Sequence, residues 1–488
     1  MNPRQKAFRE ALGELRAHPL ITLGFSLFWT WVWLVVQSSF LNAEGFLKAI
    51  PIMSKWVIPL AAYGITFLVL GLLYRLKRFM PQSTGYLVSF SIVTTFGVLT
   101  CAIFSYYPTS DTTVTVTLLI IGALIMGAGT SCLHMEWGRL LGRLGPRKTI
   151  IHGASGTFGA ALLIFFVSRL PDEFAWLILA LLPLCCVITI ILQRRKFSAG
   201  EMANEQAQLI IPWRFLCTSF IQGTAFGILQ AILPITEGAT VTTSISGLGS
   251  LIGALALFLV VFLFRLDFNQ LMYHVGFVIL AASFMLMAAA GSLFTGGWLL
   301  NVIGYRFIDV LMWALCVYLV KQRDLPTNWV FAITTGALLI GQVFGALVGF
   351  FAHNVFGGQQ GDLEILSVFM VFVILAGALF MSSKNNLQKG WGMIRPGSGD
   401  ESGDDFRVAC ALVTDGFELT PREFEIFELL AQGHNKAYIS ERLFLSKETV
   451  KTHTRNLYHK MSLHSQKDLI ALTSKQLHEE QISKRWQR

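Results

Sequence analysis

The chain has 488 residues, 54% of them hydrophobic and only 14% charged, with a mean hydropathy of +0.59. That apolarity excludes an ordinary soluble enzyme, and the length allows more than one domain. The formal charge of +9 suits a nucleic acid or an anionic lipid surface as partner.

Residues 1–18 form a polar, basic segment that can make an amphipathic helix through Phe8, Leu12 and Leu15. The apolar run after it has no small-residue cleavage site and is followed by many more, so it reads as a retained span and not a signal peptide. About twenty helical residues cross a bilayer core of roughly 30 Å. Twelve such spans are predicted within 19–381: 19–40, 56–74, 86–106, 114–137, 149–169, 174–193, 212–234, 241–264, 271–294, 297–320, 329–352 and 364–381.

The loops give the orientation. With the N-terminus cytoplasmic, the inward connections carry Arg75, Lys77 and Arg78, then Arg139, Arg143, Arg147 and Lys148. Arg194, Arg195 and Lys196 follow, then Arg265, then Lys321 and Arg323. The outward loops hold little beyond Lys48, Lys55 and Arg169, so the charge bias follows the positive-inside rule. An even span count returns Lys384 and the tail to the cytoplasm. The expected location is the bacterial inner membrane, with both termini cytoplasmic and lipid as a partner.

The longest inward loop, from Arg194 to Arg214, follows the sixth span. This arrangement of six plus six resembles the major facilitator superfamily. The run Gly138 to Lys148 echoes that superfamily's G-x-L-x-D-R-x-G-R-K loop, but it follows the fourth span instead of the second and has Gly142 in place of the Asp. A coupling loop and a plain positive anchor both remain open for it.

Polar groups at mid-membrane are costly and mark packing or function. Arg306 and Asp309, three apart in the tenth span with Asn301 and Tyr305 nearby, are the foremost candidates for a ligand site, with a structural ion pair as the alternative. Gln222 and Gln230 share one face of the seventh span and join the candidate set, with hydrogen bonding between helices as the alternative. Trp29, Trp31 and Trp33 read as packing residues, with an aromatic pocket as the second reading. His134, Glu136 and His152 lack metal-ligand spacing. The seven cysteines contain no C-x-x-C pair. No nucleophile or phosphate-loop motif occurs, so no enzyme, cofactor or metal is predicted.

Residues 382–418 turn to Gly, Ser, Asp and Lys, and RPGSGDESGDD has the composition of a flexible linker whose ends lie on the order of 30 Å apart. Residues 419–477 are different again. Thr420, Pro421 and Glu423 spell a capping box with Pro at the first helical position. Phe424, Phe427, Leu430 and Ala431 give that helix an apolar face, and Gly433 stops it. Asn435 caps a second helix, Ser446 a third running to about Met461, and a fourth covers roughly Gln466 to Leu477. The third buries Val450, Leu457 and Met461 and offers Lys451, Thr452 and Arg455, with Lys447 and His459 extending that side. This is the helix-turn-helix plan. Residues 478–488 are a basic tail.

Through LT-x-RE, LLAQG, ISERLFLS, TVKTH and KMSL this segment resembles the LuxR-type (NarL/FixJ-type) DNA-binding domain. The resemblance implies base contacts at Lys451, Thr452 and Arg455, and phosphate contacts near Lys447, Thr449 and His453. It also implies a two-fold operator in double-stranded DNA, a homodimer through the fourth helix, and RNA polymerase as a further candidate partner. Ser440, Thr454 and Gln466 depart from the family pattern, the last leaving the fourth-helix contacts open. The expected fold is therefore all-α: a twelve-helix, major-facilitator-like bundle with a C-terminal four-helix LuxR-type domain. The expected function is transcriptional regulation by a small-molecule signal read in the membrane. The alternative is a secondary transporter with a regulatory DNA-binding tail.

Overall fold

The computed structural model describes residues 3–37, 57–77, 83–107, 109–194, 209, 211–236, 239–263, 268, 270–289, 293–323, 325–355, 360–381, 406, 409–432 and 434–486. Most of the predicted linker, Gly433, and the loop residues Lys48, Lys55, Arg78, Arg195, Lys196, Arg265 and Lys384 lie outside the described residues. The chain forms two compact units. One comprises Met1–Phe264 with His274–Gly377, the other Arg265–Tyr273 with Ala378–Arg488.

The membrane unit opens with α1 (Pro3–Ala17), which meets α2 (Pro19–Gln37) at a bend of 83°. Next come α3 (Val57–Lys77), α4 (Thr84–Tyr106), α5 (Thr112–Leu144), α6 (Pro146–Val167) and α7 (Asp172–Arg194). The second half has α8 (Trp213–Thr236), α9 (Ala239–Leu263), α10 (Phe277–Ala288, led by a π-helical Gln270–Gly276), α11 (Leu293–Arg323), α12 (Thr327–Val355) and α13 (Gln360–Met381). Among the described residues ten helices are long and apolar enough to cross a membrane, or up to eleven if the bent α1–α2 pair is one span.

Helix ends follow local chemistry more than hydropathy. Ser83 caps α4 by accepting from Tyr86 N at 3.1 Å, and Asp111 caps α5 by accepting from Thr113 N at 2.8 Å. α5 has 33 residues, about 50 Å at 1.5 Å each, and outruns a bilayer core of roughly 30 Å. The helix therefore contains the predicted span 114–137 and continues past it. The helix ends where Gly145 takes φ +93°, a left-handed value that favours glycine, and Pro146 starts α6.

α11 is the central helix, with 94% of its apolar window buried, whereas α13 at 33% lies at the lipid-facing edge. α8 and α12 approach closest. A Cβ on Gly223 or Gly227 would overlap the carbonyl oxygens of Leu338 and Gln342, and one on Gly341 or Gly345 those of Phe220 and Thr224. Glycines four apart on both helices let the two backbones touch, the small-residue packing of membrane helices.

Glu136 of α5 pairs with Arg139 and with Arg194 of α7, and Arg139 Nε donates to Asn328 of α12 at 2.6 Å. Arg147 pairs with Glu10 at 2.9 Å and Lys148 with Glu14 at 3.1 Å, which ties α1 to α6. The basic run Gly138–Lys148 therefore makes specific ion pairs within the protein, which a plain lipid anchor would not need.

The second unit contains α14 (Pro421–Ala431), α15 (Lys436–Leu443), α16 (Lys447–Lys460) and α17 (Gln466–Trp486). α17 runs on through most of what the sequence suggested was a separate tail. Phe424, Ile426, Phe427, Leu430, Ile439, Val450, Leu457, Met461 and Leu469 form the core, with Cys410, Ala411 and Val413 from the preceding segment.

Candidate functional site

Each unit has a polar cluster at a place the sequence singled out. In the second, the capping box of α14 is complete: Thr420 Oγ1 accepts from Glu423 N at 3.2 Å, and Glu423 Oε2 accepts from Thr420 N at 2.8 Å. Lys460 Nζ at the end of α16 donates to the same carboxylate at 2.8 Å and to Glu418 O at 3.1 Å. Burial pushes the Glu423 carboxyl upward, but the bonds from Lys460 and Thr420 outweigh it and hold the group below its ordinary range. One carboxylate so fixes where α14 starts and where α16 ends.

α16 begins at Ser446, whose Oγ accepts from Thr449 N at 3.0 Å. Val450, Thr454, Leu457 and Met461 are buried, and Thr454 satisfies its hydroxyl on Val450 O at 2.7 Å. Lys447, Lys451, Thr452 and Arg455 are exposed, and Thr449 and His453 are half-buried beside them. The helix thus presents a cationic, hydrogen-bonding stripe of the width a DNA major groove admits. Lys451 lies 3.9 Å from Glu448, an exposed pair too weak to hold the ammonium back.

The membrane unit holds a cavity of about 650 Å³, open space at its mouth included, lined from both halves of the bundle. α2 supplies Trp29 and Trp33, α3 Tyr63 and α5 His134; α8 supplies Phe226, α11 Tyr305, Arg306, Asp309 and Trp313, and α12 Phe331 and Gln342. The Arg306 guanidinium lies 3.9 Å over the Trp33 ring, and its Nε donates to Ser250 Oγ of α9 at 3.1 Å. Asp309 Oδ2 is 3.7 Å from Arg306, a Coulombic contact longer than a hydrogen bond. Gln342 Nε2 donates to Tyr305 Oη at 2.6 Å, and Tyr305 stacks on Phe226 at 3.9 Å. His134 bonds Tyr63, contacts Thr335 Oγ1 at 3.3 Å and stacks on Trp313 at 4.3 Å. The indole N–H groups of Trp29 and Trp33 have no hydrogen-bond partner. Among the described residues no three His, Cys, Asp or Glu side chains stand where they could hold a metal ion.

Residues 418–473 match the family of bacterial regulatory proteins of the luxR type. They form a LuxR-type DNA-binding domain. An uncharacterized response regulatory protein of Escherichia coli (strain K12), YgeK, is 43% identical over 71 residues, which are 14% of this chain. The chain spans only 48% of the length of that curated relative. The membrane unit has the major-facilitator fold. A bacterial homologue of the iron transporter ferroportin, in its outward-facing state with soaked iron, superposes with a TM-score of 0.53 at 16% identity, covering 75% of this chain and 99% of that one. The proton:xylose symporter XylE, bound to 6-bromo-6-deoxy-D-glucose, gives 0.55 at 12% identity over 74% of this chain and 94% of its own. The chain therefore joins a segment that matches the luxR-type family to a membrane domain of the major-facilitator fold.

Within the LuxR-type domain two departures from the family pattern have local roles. Ser440 Oγ donates to Leu445 O at 2.8 Å and closes the turn before α16. Gln466 Nε2 donates to Leu430 O at 2.9 Å and to His434 O at 3.0 Å, which anchors α17 to the end of α14. In the membrane domain Arg306 and Asp309 meet in the cavity. Three other predicted ligand residues do not line it. Gln222 donates to Tyr305 O at 3.4 Å, Asn301 donates to Ser283 Oγ of α10 at 3.0 Å, and Gln230 is buried elsewhere on α8. Trp29 and Trp33, four apart, both line the cavity, while Trp31 turns away to donate to Thr130 Oγ1 at 2.9 Å. His134, Glu136 and His152 enter three separate networks.

Proposed function

We propose that the membrane domain, residues 19–381, is the sensor of this regulator and that the cavity around Arg306 and Asp309 receives its small-molecule signal. One observation carries the proposal: a buried Arg–Asp pair at 3.7 Å stands beside two unpartnered indole N–H groups in a cavity lined from both halves. A ligand that prefers one arrangement of the bundle shifts the equilibrium by its differential affinity alone. Residues 382–418 then tether an output domain at 419–477, with both termini cytoplasmic. In this reading Lys451, Thr452 and Arg455 contact bases, and Lys447, Thr449 and His453 contact phosphates. The bound form is a homodimer, joined through α17, on a two-fold operator.

The decisive variant is Arg306→Leu with Asp309→Leu. Either change alone leaves an uncompensated buried charge, whereas the pair removes both. With normal membrane levels, the double variant is expected to hold target transcripts in one state under conditions where the wild type switches them. A fully inducible double variant contradicts the proposal. The second reading, a working transporter, is favoured by the major-facilitator fold itself. Net uptake of a compound into proteoliposomes supports it; binding without flux supports the sensor.

A further inference from the structure

Phe444 sits in the turn between α15 and α16, 95% exposed, with φ +56°. Both values are unusual for this residue type. Left-handed backbone strains any side chain with a Cβ, and an exposed phenyl ring gains nothing from burial. Among the described residues two other non-glycine positions have positive φ, Glu418 and Ser462, and both are polar. Ser462 follows α16 at a helix end of the same kind, where Leu463 N bonds Tyr458 O at 2.9 Å.

The turn is built to hold Phe444 in this conformation. Leu445 N donates to Ser440 O at 3.0 Å, the six-to-one bond of a Schellman motif, which places Phe444 at the position glycine ordinarily fills. Arg422 donates to Leu443 O at 2.6 Å, and Ser440 donates to Leu445 O at 2.8 Å, so the carbonyls on both sides of Phe444 are pinned. Leu443 and Leu445 pack against the core of the domain, but Phe444 does not. The fold therefore accepts strain at one residue and leaves its ring in solvent.

We infer that Phe444 is a DNA contact, its ring packing against the deoxyribose-phosphate backbone that flanks the major groove. The inference rests on the DNA-binding role of this domain and adds a residue to it. In a helix-turn-helix the first helix crosses the backbone and the N-terminal turn of the second enters the groove, so the turn between them lies at the sugar-phosphate edge. Phe444 is two residues before the cap Ser446, beside exposed Lys447. The charge of Lys447 draws the phosphates in, and the ring covers the apolar faces of the sugars. Contacts of this kind set register and affinity and carry no base information.

The test uses the full chain in nanodiscs and a duplex selected by the wild type from a randomised pool. Phe444→Gly is expected to keep or raise the melting temperature, because glycine relieves the left-handed strain. It should nevertheless weaken binding to the selected duplex by roughly five-fold or more, equally across sequences. The salt dependence should stay unchanged, since no ionic contact is lost. Phe444→Tyr should bind like the wild type. Wild-type affinity in Phe444→Gly overturns the inference, as does a fall in its melting temperature, which would give the ring a structural role, or a flattened salt slope. A wild-type chain that selects no duplex fails the DNA-binding reading itself, an outcome distinct from selection followed by normal binding of Phe444→Gly.

Discussion

The two units of this protein treat charge in opposite ways. The LuxR-type domain buries an apolar face of α16 and leaves Lys447, Lys451 and Arg455 in water, where exposure costs them nothing. The membrane domain buries Arg306 and Asp309 almost completely and holds them with Ser250, the Trp33 ring and each other. An exposed charge is a property of one helix. A buried charge is a property of everything packed around it, so its role depends on tertiary structure.

The contrast can be broken or sharpened by substitution, and packing gives the largest effect. Gly227→Leu should abolish accumulation of folded protein, because α8 and α12 approach through their backbones there; Gly247→Leu, with no atom near its Cβ position, should be tolerated. Membrane levels and a monodisperse profile in detergent distinguish the two. Equal behaviour of both variants would mean that α8–α12 contact does not hold the bundle.

On the exposed side, Lys451→Ala or Arg455→Ala should each cost about 1–3 kcal/mol at particular bases, leaving the fold unaltered. Lys447→Ala should weaken all sequences alike and flatten the salt slope. Footprints of the three variants on a selected duplex check the division of labour.

The smallest effect is expected at Glu423. Its carboxyl is held below the ordinary range, so its ion pair with Lys460 contributes fully above the unfolded pKa of about 4.3 and is lost as pH falls through the lower folded value. Glu423→Gln should cost about 1 kcal/mol or less at neutral pH and remove part of the acid sensitivity of the second unit. Unchanged acid unfolding in that variant would remove the pair from the account.

How much was legible in the sequence follows the same contrast. The stripe at Lys451, Thr452 and Arg455 could be read because helical spacing alone sets which side faces out. Arg306 and Asp309 could be found because charges stand out in a span. Gln222, Gln230 and Asn301 shared plausible faces, yet spacing does not say which neighbour a face meets, and none of them lines the cavity. Trp29 and Trp33 were separable from Trp31 only once α5 was seen to offer Thr130 on the other side. The end of α5 was set by a backbone angle at Gly145, which hydropathy does not register. Phe444 was hidden for the same reason, since its unusual feature is a dihedral.

The central claim is that the buried pair in the membrane governs an exposed stripe elsewhere in the chain. The direct measurement is the affinity of the full chain in nanodiscs for a duplex selected on the wild type, with and without Arg306→Leu and Asp309→Leu together. Coupling between sites is typically about 1–3 kcal/mol, so the double variant, equally folded, should differ from the wild type by roughly five-fold or more. Identical affinities in two equally folded proteins would contradict the claim.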